Sequence, residues 1–346
     1  MAPGKPTSLD VAALAGVSQS AVSRVFSGAS ASPETARKVR EAAARLGYRP
    51  NVLARSLITG RSKIIGLVVA YLDNQFYPDA IERLSNALQA EGYHLLVFMA
   101  REGEAEIPRV IDELIDYQVD GIVAASVSVE GDLASRCRDA GIPVVLFNRG
   151  QEGRSLSQVT SANRDGGRKV AEFLAAGGHR RIAQITGWQG ASTGRDRAAG
   201  FREGLARAGL APLAEPDGMF RRDAAAEAAL GLWRAQAPDA IFVGNDHMAF
   251  GVMDALRAEG LRMADDVSIV GYDDTPPAAW GAYDLTTVRQ PAARMVEATI
   301  RLLMAQIEEP GRDPERVEIE GPLVVRTSAR VPAQDGPTVR LAKDTP

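Results

Sequence analysis

The sequence has little cysteine and little histidine, with one Cys and three His among 346 residues. A lone thiol at Cys137 excludes an internal disulfide, and His94, His179 and His247 are too scattered to build a zinc site with it. Long hydrophobic runs are also lacking, since no stretch of about 18 uninterrupted apolar residues occurs. The first residues do not contain the apolar segment of a secretory signal, and we therefore expect a cytoplasmic protein that binds no metal.

The composition that remains is that of a globular protein. Hydrophobic residues make up 45% and charged residues 24% of the chain, which excludes disorder of the whole chain. Because compact domains usually contain about 100 to 200 residues, a chain of this length is expected to form more than one domain.

Positive charge is concentrated near the N-terminus. Residues 1–63 contain ten Lys and Arg against three Asp and Glu, a net charge of +7, whereas the remainder contains 30 against 41, a net charge of −11. A small basic segment on an acidic body is the arrangement expected when only that segment meets a polyanion. Charge alone leaves a second interpretation open, which is a basic tail without a partner.

The basic segment carries the signals of short helices. Thr7 and Asp10 have the spacing of a capping box, and Gly16 is a typical helix terminator. Ser32 is placed to cap a later helix with Pro33 at its first position. The apolar positions predicted to be buried in these two helices are Val11, Leu14, Ala15, Ala36, Val39, Ala43 and Leu46.

Between them, Ser18 is predicted to cap another helix after a tight turn. Val22, Val25 and Phe26 recur at intervals of three and four and are predicted to face the core. Such a pair of helices suits insertion of the second one into the major groove of DNA, where Gln binds adenine and Arg binds guanine or a phosphate. A helical mini-domain that binds protein is the alternative. The polar outer face has no carboxylate and bears Gln19, Ser20, Ser23 and Arg24.

Residues 51–57 form a segment that is too short to be a stable helix alone in water. Asn51 is placed to cap it, and Ala54 keeps one face narrow enough for two copies to meet. Pairing of two chains on DNA would then stabilise the helix. An interdomain linker whose Leu57 packs on the core is the other interpretation.

These residues resemble a known headpiece. The runs TSLDVAALAGVSQSAVSRVF at 7–26, SPET at 32–35, LGYRPNVLARSL at 46–57 and TGRSKIIG at 59–66 are similar to the N-terminus of the lactose, galactose and purine repressor (LacI/GalR) family of bacterial transcription regulators. The resemblance implies a homodimer on a near-palindromic double-stranded operator, with Leu57 wedged into the minor groove. The candidate DNA-binding residues are Thr7, Ser18, Gln19, Ser20, Ser23, Arg24, Asn51, Ala54 and Leu57.

From Ile64 onward, short apolar runs alternate with amphipathic segments. This alternation predicts parallel sheets covered by helices on both faces, and about 270 residues of it favour two lobes. The predicted strands are Ile64–Ala70, His94–Phe98, Gly121–Ala125, Pro143–Phe147, Ile182–Thr186, Ala240–Gly244, Ser268–Tyr272 and Thr286–Val288. The predicted helices include Ala80–Ala90, Ile107–Tyr117, Gly166–Ala176, Arg195–Ala208 and Met248–Glu259.

Polar residues follow four of the predicted strands. In open parallel sheets the ligand binds beyond the carboxyl ends of the strands, and mixed amide, carboxylate and guanidinium groups suit a polyhydroxylated ligand. For single residues a helix cap or a turn is the alternative: Asp246 is predicted to cap the helix that begins at His247, and Asp274 to satisfy its own loop. The polar set comprises Asp73, Asn74, Gln75, Phe76, Tyr77, Asn148, Arg149, Asn245, Asp246, Asp273 and Asp274.

Four further motifs resemble the effector domain of the same repressors: GRDRAAGF at 194–201, GNDHMAFG at 244–251, VSIVGYDD at 267–274 and LTTVRQ at 285–290. The resemblance implies that Asp273 accepts sugar hydroxyls and that Arg197 donates to an oxygen. Several relatives have an acid where Asn148 and Arg149 stand, so a sugar acid or sugar phosphate fits as well as a neutral sugar. The candidate effector-binding residues are Phe76, Tyr77, Asn148, Arg149, Arg197, Asn245, Asp273 and Gln290.

The fold class predicted is α + α/β: a helix-turn-helix headpiece followed by a two-lobed, periplasmic-binding-protein-like domain of parallel α/β sheets. The predicted domains are a headpiece at 1–49, a hinge helix and linker at 50–62, an effector-binding and dimerisation domain at 63–332, and a flexible tail at 333–346. Within the effector domain, the N-lobe is predicted at about 63–160 and 290–320, and the C-lobe at about 161–289 and 321–332.

The function predicted is a ligand-responsive transcription repressor and not an enzyme. The segment 190–194 fits G-x-S-x-G, but that elbow requires its serine directly after a strand, and Trp188 and Gln189 intervene. No G-x-G-x-x-G or phosphate-loop motif occurs, so we expect no cofactor. A solute-binding protein of a transport system remains an alternative but would need export, and a sugar-acting enzyme would turn its ligand over.

Overall fold

The computed structural model describes residues 6–27, 30–49, 61–100, 106–127, 129, 131–151, 153 and 155–332. Two compact units, Met1–Lys63 and Ile64–Pro346, divide the chain. The predicted hinge residues Asn51, Ala54 and Leu57 lie outside the described residues, as does the predicted tail at 333–346. Within the described ranges, no helix is both long enough and apolar enough to cross a bilayer.

The described part of the first unit contains three short helices. Thr7 Oγ1 accepts a hydrogen bond from the Asp10 amide (3.4 Å), and the Asp10 carboxylate accepts one from the Thr7 amide (2.8 Å), which confirms the predicted capping box. Gly16 then turns the chain with a φ of +65°, and Ser18 Oγ accepts from the Ala21 amide (3.2 Å) at the start of the next helix. The helices are α1 Ser8–Ala15, α2 Gln19–Ser27 and α3 Pro33–Leu46.

A small apolar core holds these helices together. The prediction that Leu14 is buried was wrong, because its side chain is exposed, and the preceding turn of α1 contributes Ala12 instead. Ser32 caps α3 as predicted, with its Oγ accepting from the Thr35 amide (3.2 Å). The buried residues are Val11, Ala12, Val22, Val39, Ala42 and Ala43, and those packed around them are Ala15, Val17, Val25, Phe26, Leu46 and Tyr48.

The second unit begins with a six-stranded parallel sheet, which we call the first lobe together with its helices. Its strand order is β10-β5-β4-β3-β1-β2, and apolar clusters cover both faces. Its elements are β1 Ile64–Val69, α4 Phe76–Ala90, β2 His94–Met99, α5 Glu106–Asp116, β3 Gly121–Ala125, α6 Gly131–Asp139, β4 Val144–Phe147 and β5 Ser157–Ser161, with α11 Ala292–Glu308 and β10 Arg316–Ile319.

The second lobe is built on a five-stranded sheet of order β11-β9-β8-β7-β6. Apolar clusters again cover both faces of this sheet. Its elements are α7 Asn163–Ala176, β6 Ile182–Ile185, α8 Ser192–Arg207, α9 Arg222–Gln236, β7 Ala240–Val243, α10 Asp246–Ala258, β8 Ser268–Asp273, a 3-10 turn Pro276–Ala279, β9 Thr286–Arg289 and β11 Leu323–Val324.

The chain passes between the lobes three times. It leaves the first sheet after β5, builds most of the second, returns for α11 and β10, and ends in the second sheet with β11. The eight predicted strands are confirmed to within two residues, whereas β5, β10 and β11 were missed. All-parallel sheets were expected, but β11 pairs antiparallel with β9.

Close packing of α7 against α8 positions part of the site. A Cβ added at Gly200 would overlap the Arg164 carbonyl, and one added at Gly167 would overlap the Arg197 carbonyl. Because both positions lack a side chain, the two helix backbones approach closely. This approach brings Arg197 on α8 next to Asn163 at the start of α7, where the two side chains form a hydrogen bond of 2.8 Å.

Candidate functional site

The outer face of α2 is the candidate nucleic-acid interface. Gln19, Ser20, Ser23 and Arg24 are all exposed, as predicted from the helical period. Gln19 Nε2 donates to Ser8 Oγ on α1 (3.0 Å), so this side chain is held at the junction of the two helices. A polar helix face without carboxylates, presented after a tight turn, is the geometry that reads a major groove.

The described headpiece also carries exposed cations. In α3, Glu34 pairs with Lys38 and Glu41 pairs with Arg37, and all four side chains are largely exposed. Within the described headpiece, other arginines form no ion pair with a described residue, which leaves their charges available to phosphates. These arginines are Arg24, Arg40, Arg45 and Arg49.

The second candidate site lies between the lobes, where the carboxyl ends of the strands meet. Asp273 ends β8 with a φ of +127° and is buried. Its Oδ1 accepts from Gln290 Nε2 (2.7 Å), and its Oδ2 accepts from Asn74 Nδ2 (2.8 Å), which belongs to the first lobe. One carboxylate thus contacts both lobes.

Arg197 supplies the countercharge of this carboxylate. Its guanidinium Nη1 lies 3.4 Å from Asp273 Oδ1 and donates to the Gly244 carbonyl (2.7 Å). The guanidinium also stacks on the Tyr272 ring at 3.7 Å from the centroid, an arrangement that favours a buried cation. Burial nevertheless raises the pKa of Asp273, while Arg197 and the hydrogen bonds from Asn74 and Gln290 act in the opposite direction.

Asn245 caps a helix, a role that the sequence analysis predicted for its neighbour Asp246. Its Oδ1 accepts from the Met248 amide (2.9 Å) and caps α10. The predicted cap, Asp246, is instead the first helical residue, and its carboxylate accepts from Thr275 N (2.8 Å) and Thr287 Oγ1 (2.6 Å). The prediction for Asp246 was therefore wrong by one residue.

Asp274 likewise does not satisfy its own loop. Its carboxylate accepts from Arg289 Nε (2.6 Å) and from Arg326 Nη2 (2.6 Å), which come from β9 and from the segment after β11. Asp274 therefore joins the segment after β11 to β9.

The pH dependence of protein stability is expected to reveal the raised pKa of Asp246. Burial raises the pKa of this carboxyl well above its usual range, and the nearby Asp273 and Asp274 raise it further. A raised folded-state pKa stabilises the fold below the unfolded-state pKa, and this contribution is lost as pH rises through the folded-state value. Asp246→Asn is therefore expected to gain stability relative to wild type as pH rises above about 4, the usual pKa of an aspartate.

Thermal unfolding of both proteins across this range measures the gain. Exposed Asp265, in the same lobe, provides the control variant Asp265→Asn, which should keep a constant difference from wild type. If the stability of Asp246→Asn depends on pH in the same way as that of wild type, the assignment of a raised pKa to Asp246 is contradicted.

Three predicted residues of the first lobe form one buried group. Phe76 stacks on Phe147 with a centroid distance of 6.2 Å, and Tyr77 OH accepts from Asn148 Nδ2 (3.3 Å). Asn148 has a φ of +54°, which turns its side chain at the end of β4. In the described part of the chain, the buried oxygens Asn148 Oδ1 and Gln290 Oε1 make no hydrogen bond, and buried polar groups usually have a partner such as a protein group or water.

Arg149 lies on the wall of a cavity between the lobes that has a volume of about 1270 Å³. Its Nη2 donates to the Ser126 carbonyl (2.6 Å), and its guanidinium carbon lies 5.9 Å from the Trp188 ring centroid in the second lobe. Among the eight predicted effector residues, Arg149 alone lines this cavity. The other lining residues include Tyr71, Leu72, Asp73, Gln75, Trp188, Met219, Phe220, Arg221, Arg222, Asp223, His247 and Asp254.

Sequence reasoning did not select Trp188, Phe220 or His247 for the site. Trp188 and Phe220 lie in loops with no periodic pattern, and only their position after the second-lobe strands could have indicated them. Ser192 of the G-x-S-x-G segment begins α8, and its Oγ accepts from the Gly150 amide of the first lobe (2.8 Å). This hydrogen bond of Ser192 therefore joins the two lobes.

A basic helix-turn-helix unit followed by a two-lobed α/β domain with a polar cleft defines a DNA-binding regulator with a small-molecule site. The family model for bacterial regulatory proteins of the lacI family matches residues 7–51, and that for a periplasmic binding protein-like domain matches residues 171–329. The chain belongs to the LacI family of bacterial transcription regulators, whose members are not enzymes.

Known relatives are similar in sequence to this chain over nearly its whole length. The HTH-type transcriptional regulator CelR of Thermobifida fusca is 35% identical over 339 residues, which cover 94% of this chain and 98% of CelR. The HTH-type transcriptional repressor PurR of Vibrio campbellii is 30% identical over 326 residues, covering 93% and 98%. These similarities confirm the predicted family.

Solved structures share the fold. The CelR–cellobiose complex superposes with a TM-score of 0.72 at 34% identity, covering 94% of this chain and all of that one. The Lac repressor dimer bound to operator and the anti-inducer ONPF gives 0.85 at 28% identity, covering 94% and 99%. The predicted architecture is thereby confirmed.

Proposed function

We propose that the chain is a homodimeric repressor whose operator affinity changes when a sugar binds between its two lobes. Residues 1–49 would bind the operator, 50–62 would form the hinge, and 63–332 would bind the effector and dimerise. Operator DNA lies in the cytoplasm of a bacterium, which is where we infer that the protein acts.

The exposed face of α2 supports the DNA-binding role. Gln19, Ser20 and Arg24 would contact base edges, with Ser23 beside them, while Thr7 and Ser18 at the helix starts would lie near phosphates. Asn51, Ala54 and Leu57 complete the proposed set. The Lac repressor dimer is bound to its operator in the structure that this chain resembles.

Asp273 carries the proposal for the effector. Because this carboxylate already bonds Asn74 of the first lobe and Gln290 of the second, a hydroxylated ligand that competes for it alters the contact between the lobes. The buried oxygens of Asn148 and Gln290 add acceptors for hydroxyl groups. Arg197 and Asn245 would hold the surrounding network, and Phe76, Tyr77 and Arg149 would contribute to the effector site from the first lobe.

Charge pairing supports a neutral sugar over a sugar acid or sugar phosphate. Three arginines lie on the cavity wall: Arg221 pairs with Asp223 and Arg222 pairs with Asp254, so these two bring no net positive charge, and Arg149 donates to a neutral group, the Ser126 carbonyl. The cellobiose in the CelR complex is a neutral sugar as well. Coupling between effector and operator is expected at about 1 to 3 kcal/mol, or about 5-fold to 150-fold in affinity.

Two measurements on the full chain test this function. A thermal-shift screen of sugars, sugar acids and sugar phosphates should find a ligand that raises the melting temperature, because binding to the native state stabilises it. Footprinting on the DNA upstream of its own gene should then show a protected site whose occupancy that ligand changes. Absence of any protected site, with and without the ligands, would overturn the proposal.

A further inference from the structure

Gln19 is the first residue of α2, in the turn from which a recognition helix contacts base edges. Its side chain is exposed, and its amide has one acceptor, Oε1, and two N–H donors on Nε2. Among the residues that the structure describes, this side chain makes one hydrogen bond, from Nε2 to Ser8 Oγ (3.0 Å). One donor is therefore bound to α1, and Oε1 and the second donor are left for a partner outside the headpiece.

The fold fixes the position of the Ser8 hydroxyl. Ser8 is half-buried in the first turn of α1, directly after Thr7, whose reciprocal hydrogen bonds with Asp10 hold this turn. A serine oxygen is one rotatable bond away from the backbone, so it has few positions once the backbone is fixed. The left-handed turn at Gly16 then brings the start of α2 to α1. Ser8 thus offers Gln19 an acceptor at a defined place.

The groups that remain on Gln19 match adenine. In the major groove adenine presents the N7 acceptor beside the N6 amino donor, and a glutamine amide pairs with both at once. Guanine presents two acceptors there, N7 and O6, so the Oε1 atom of Gln19 would face an acceptor. Cytosine and thymine each present a single hydrogen-bonding group. With one donor bound to Ser8, Gln19 can therefore form two hydrogen bonds with adenine and with no other base.

The neighbouring serine does not discriminate between bases in this way. Ser20 Oγ forms a hydrogen bond with Ser18 Oγ (2.9 Å), and Ser18 Oγ also accepts from the Ala21 amide (3.2 Å) at the start of the helix. A hydroxyl both donates and accepts, so it is compatible with more than one base. Base discrimination in the first turn of α2 thus depends on Gln19.

Holding Gln19 in place before binding also favours affinity. A free glutamine side chain has several rotatable bonds, and fixing them on binding costs conformational entropy. Because the hydrogen bond to Ser8 already restricts this side chain, less entropy is lost when its amide pairs with a base. Ser8 acts through Gln19 and needs no contact with DNA of its own.

We propose that Ser8 is a positioning residue for DNA recognition, which orients the Gln19 amide to pair with one adenine in each half of the operator. Without the hydroxyl, the amide turns freely and its preference for adenine weakens. This inference depends on the proposed DNA-binding function and specifies a base that the headpiece selects.

Selection of bound sequences from a random DNA library by the full chain tests this role. Gln19→Ala identifies the base that Gln19 contacts, because the preference at that position alone should disappear. Wild type should prefer adenine there at least about 5-fold, since a bidentate pair discriminates by about 5-fold to 150-fold. Ser8→Ala should reduce this preference about 3-fold or more and leave the other positions unchanged. Ser8→Thr, which keeps the hydroxyl, should restore it.

A modified base provides a chemical check. Replacing the selected adenine with 7-deazaadenine removes the N7 acceptor, so affinity measured by fluorescence anisotropy should fall about 5-fold in wild type and stay the same in Gln19→Ala. Ser27→Ala is the control, because it removes another exposed hydroxyl of α2, which donates to the Arg24 carbonyl (3.2 Å). This variant should keep the full preference for adenine.

Three results would overturn the role of Ser8 while leaving DNA binding standing. They are a base other than adenine at the position that Gln19 contacts, an unchanged preference in Ser8→Ala, and an equal change at every position in Ser8→Ala, which would indicate damage to the headpiece. Failure of the wild-type chain to select any sequence would overturn both this role and the proposed function.

Discussion

Asp273→Ala is expected to abolish the response to the effector while changing operator affinity by less than about twofold. The carboxylate accepts hydrogen bonds from Asn74 and Gln290 and lies beside Arg197, whereas the first unit, which carries the DNA-binding face, is separate. Hydrogen bonds to a charged group contribute about 1.5 to 3 kcal/mol each, so the loss of two or more ligand contacts should weaken effector binding at least about 100-fold.

Calorimetry for the effector and fluorescence anisotropy for the operator measure the two affinities separately. Asp273→Asn keeps an acceptor oxygen and should retain the fold with an intermediate effector affinity. Asp265→Asn, an exposed change in the same lobe, should match wild type in both measurements. An equal loss of effector and operator binding in Asp273→Ala would show that this residue serves the fold instead of the ligand.

Operator affinity is expected to fall steeply with salt. If a dimer neutralises on the order of eight phosphates, the slope of log affinity against log salt is about −7, and affinity falls about 10⁴-fold between 50 and 200 mM salt. Arg24→Ala should make the slope shallower by about 2 per dimer if Arg24 binds a phosphate, because each headpiece then loses one phosphate contact.

A salt titration by fluorescence anisotropy checks both numbers. Arg312→Ala removes an exposed arginine of the second unit and should leave the slope unchanged. A slope near zero for the wild-type protein would contradict DNA binding through the basic headpiece.

The fold was largely predictable because most of its strands are apolar runs. Strands such as β3 and β7 are buried on both faces, so their hydrophobicity marks them directly. β5 escaped detection because its buried positions are polar: Ser157 bonds Gln306 Nε2 and the Glu315 amide, and Gln158 bonds the Gln151 amide. Hydrogen bonding within the lobe, which a local pattern does not reveal, satisfies these groups.

The positions of the candidate site residues were predictable in part. Asn74, Asn148 and Asp273 follow or end strands, and parallel strands bring their carboxyl ends to one edge. Trp188 and Phe220 were missed because their rings pack against Gly190 and Gly187, and because Phe220 lies in a turn with left-handed backbone conformation at non-glycine residues. Turn geometry of that kind arises from contacts between loops, so it cannot be predicted from hydrophobic periodicity or from residue type.

The late return of the chain to the first sheet constrains the order in which this protein can assemble on the ribosome. When β5 has emerged, its outer edge has no neighbour until β10, about 155 residues later, is synthesised and pairs with it. Throughout that interval the nascent first lobe exposes an unpaired strand edge, together with the apolar surface that α11 later covers. The growing polypeptide is therefore most prone to aggregation while the ribosome is translating the second lobe.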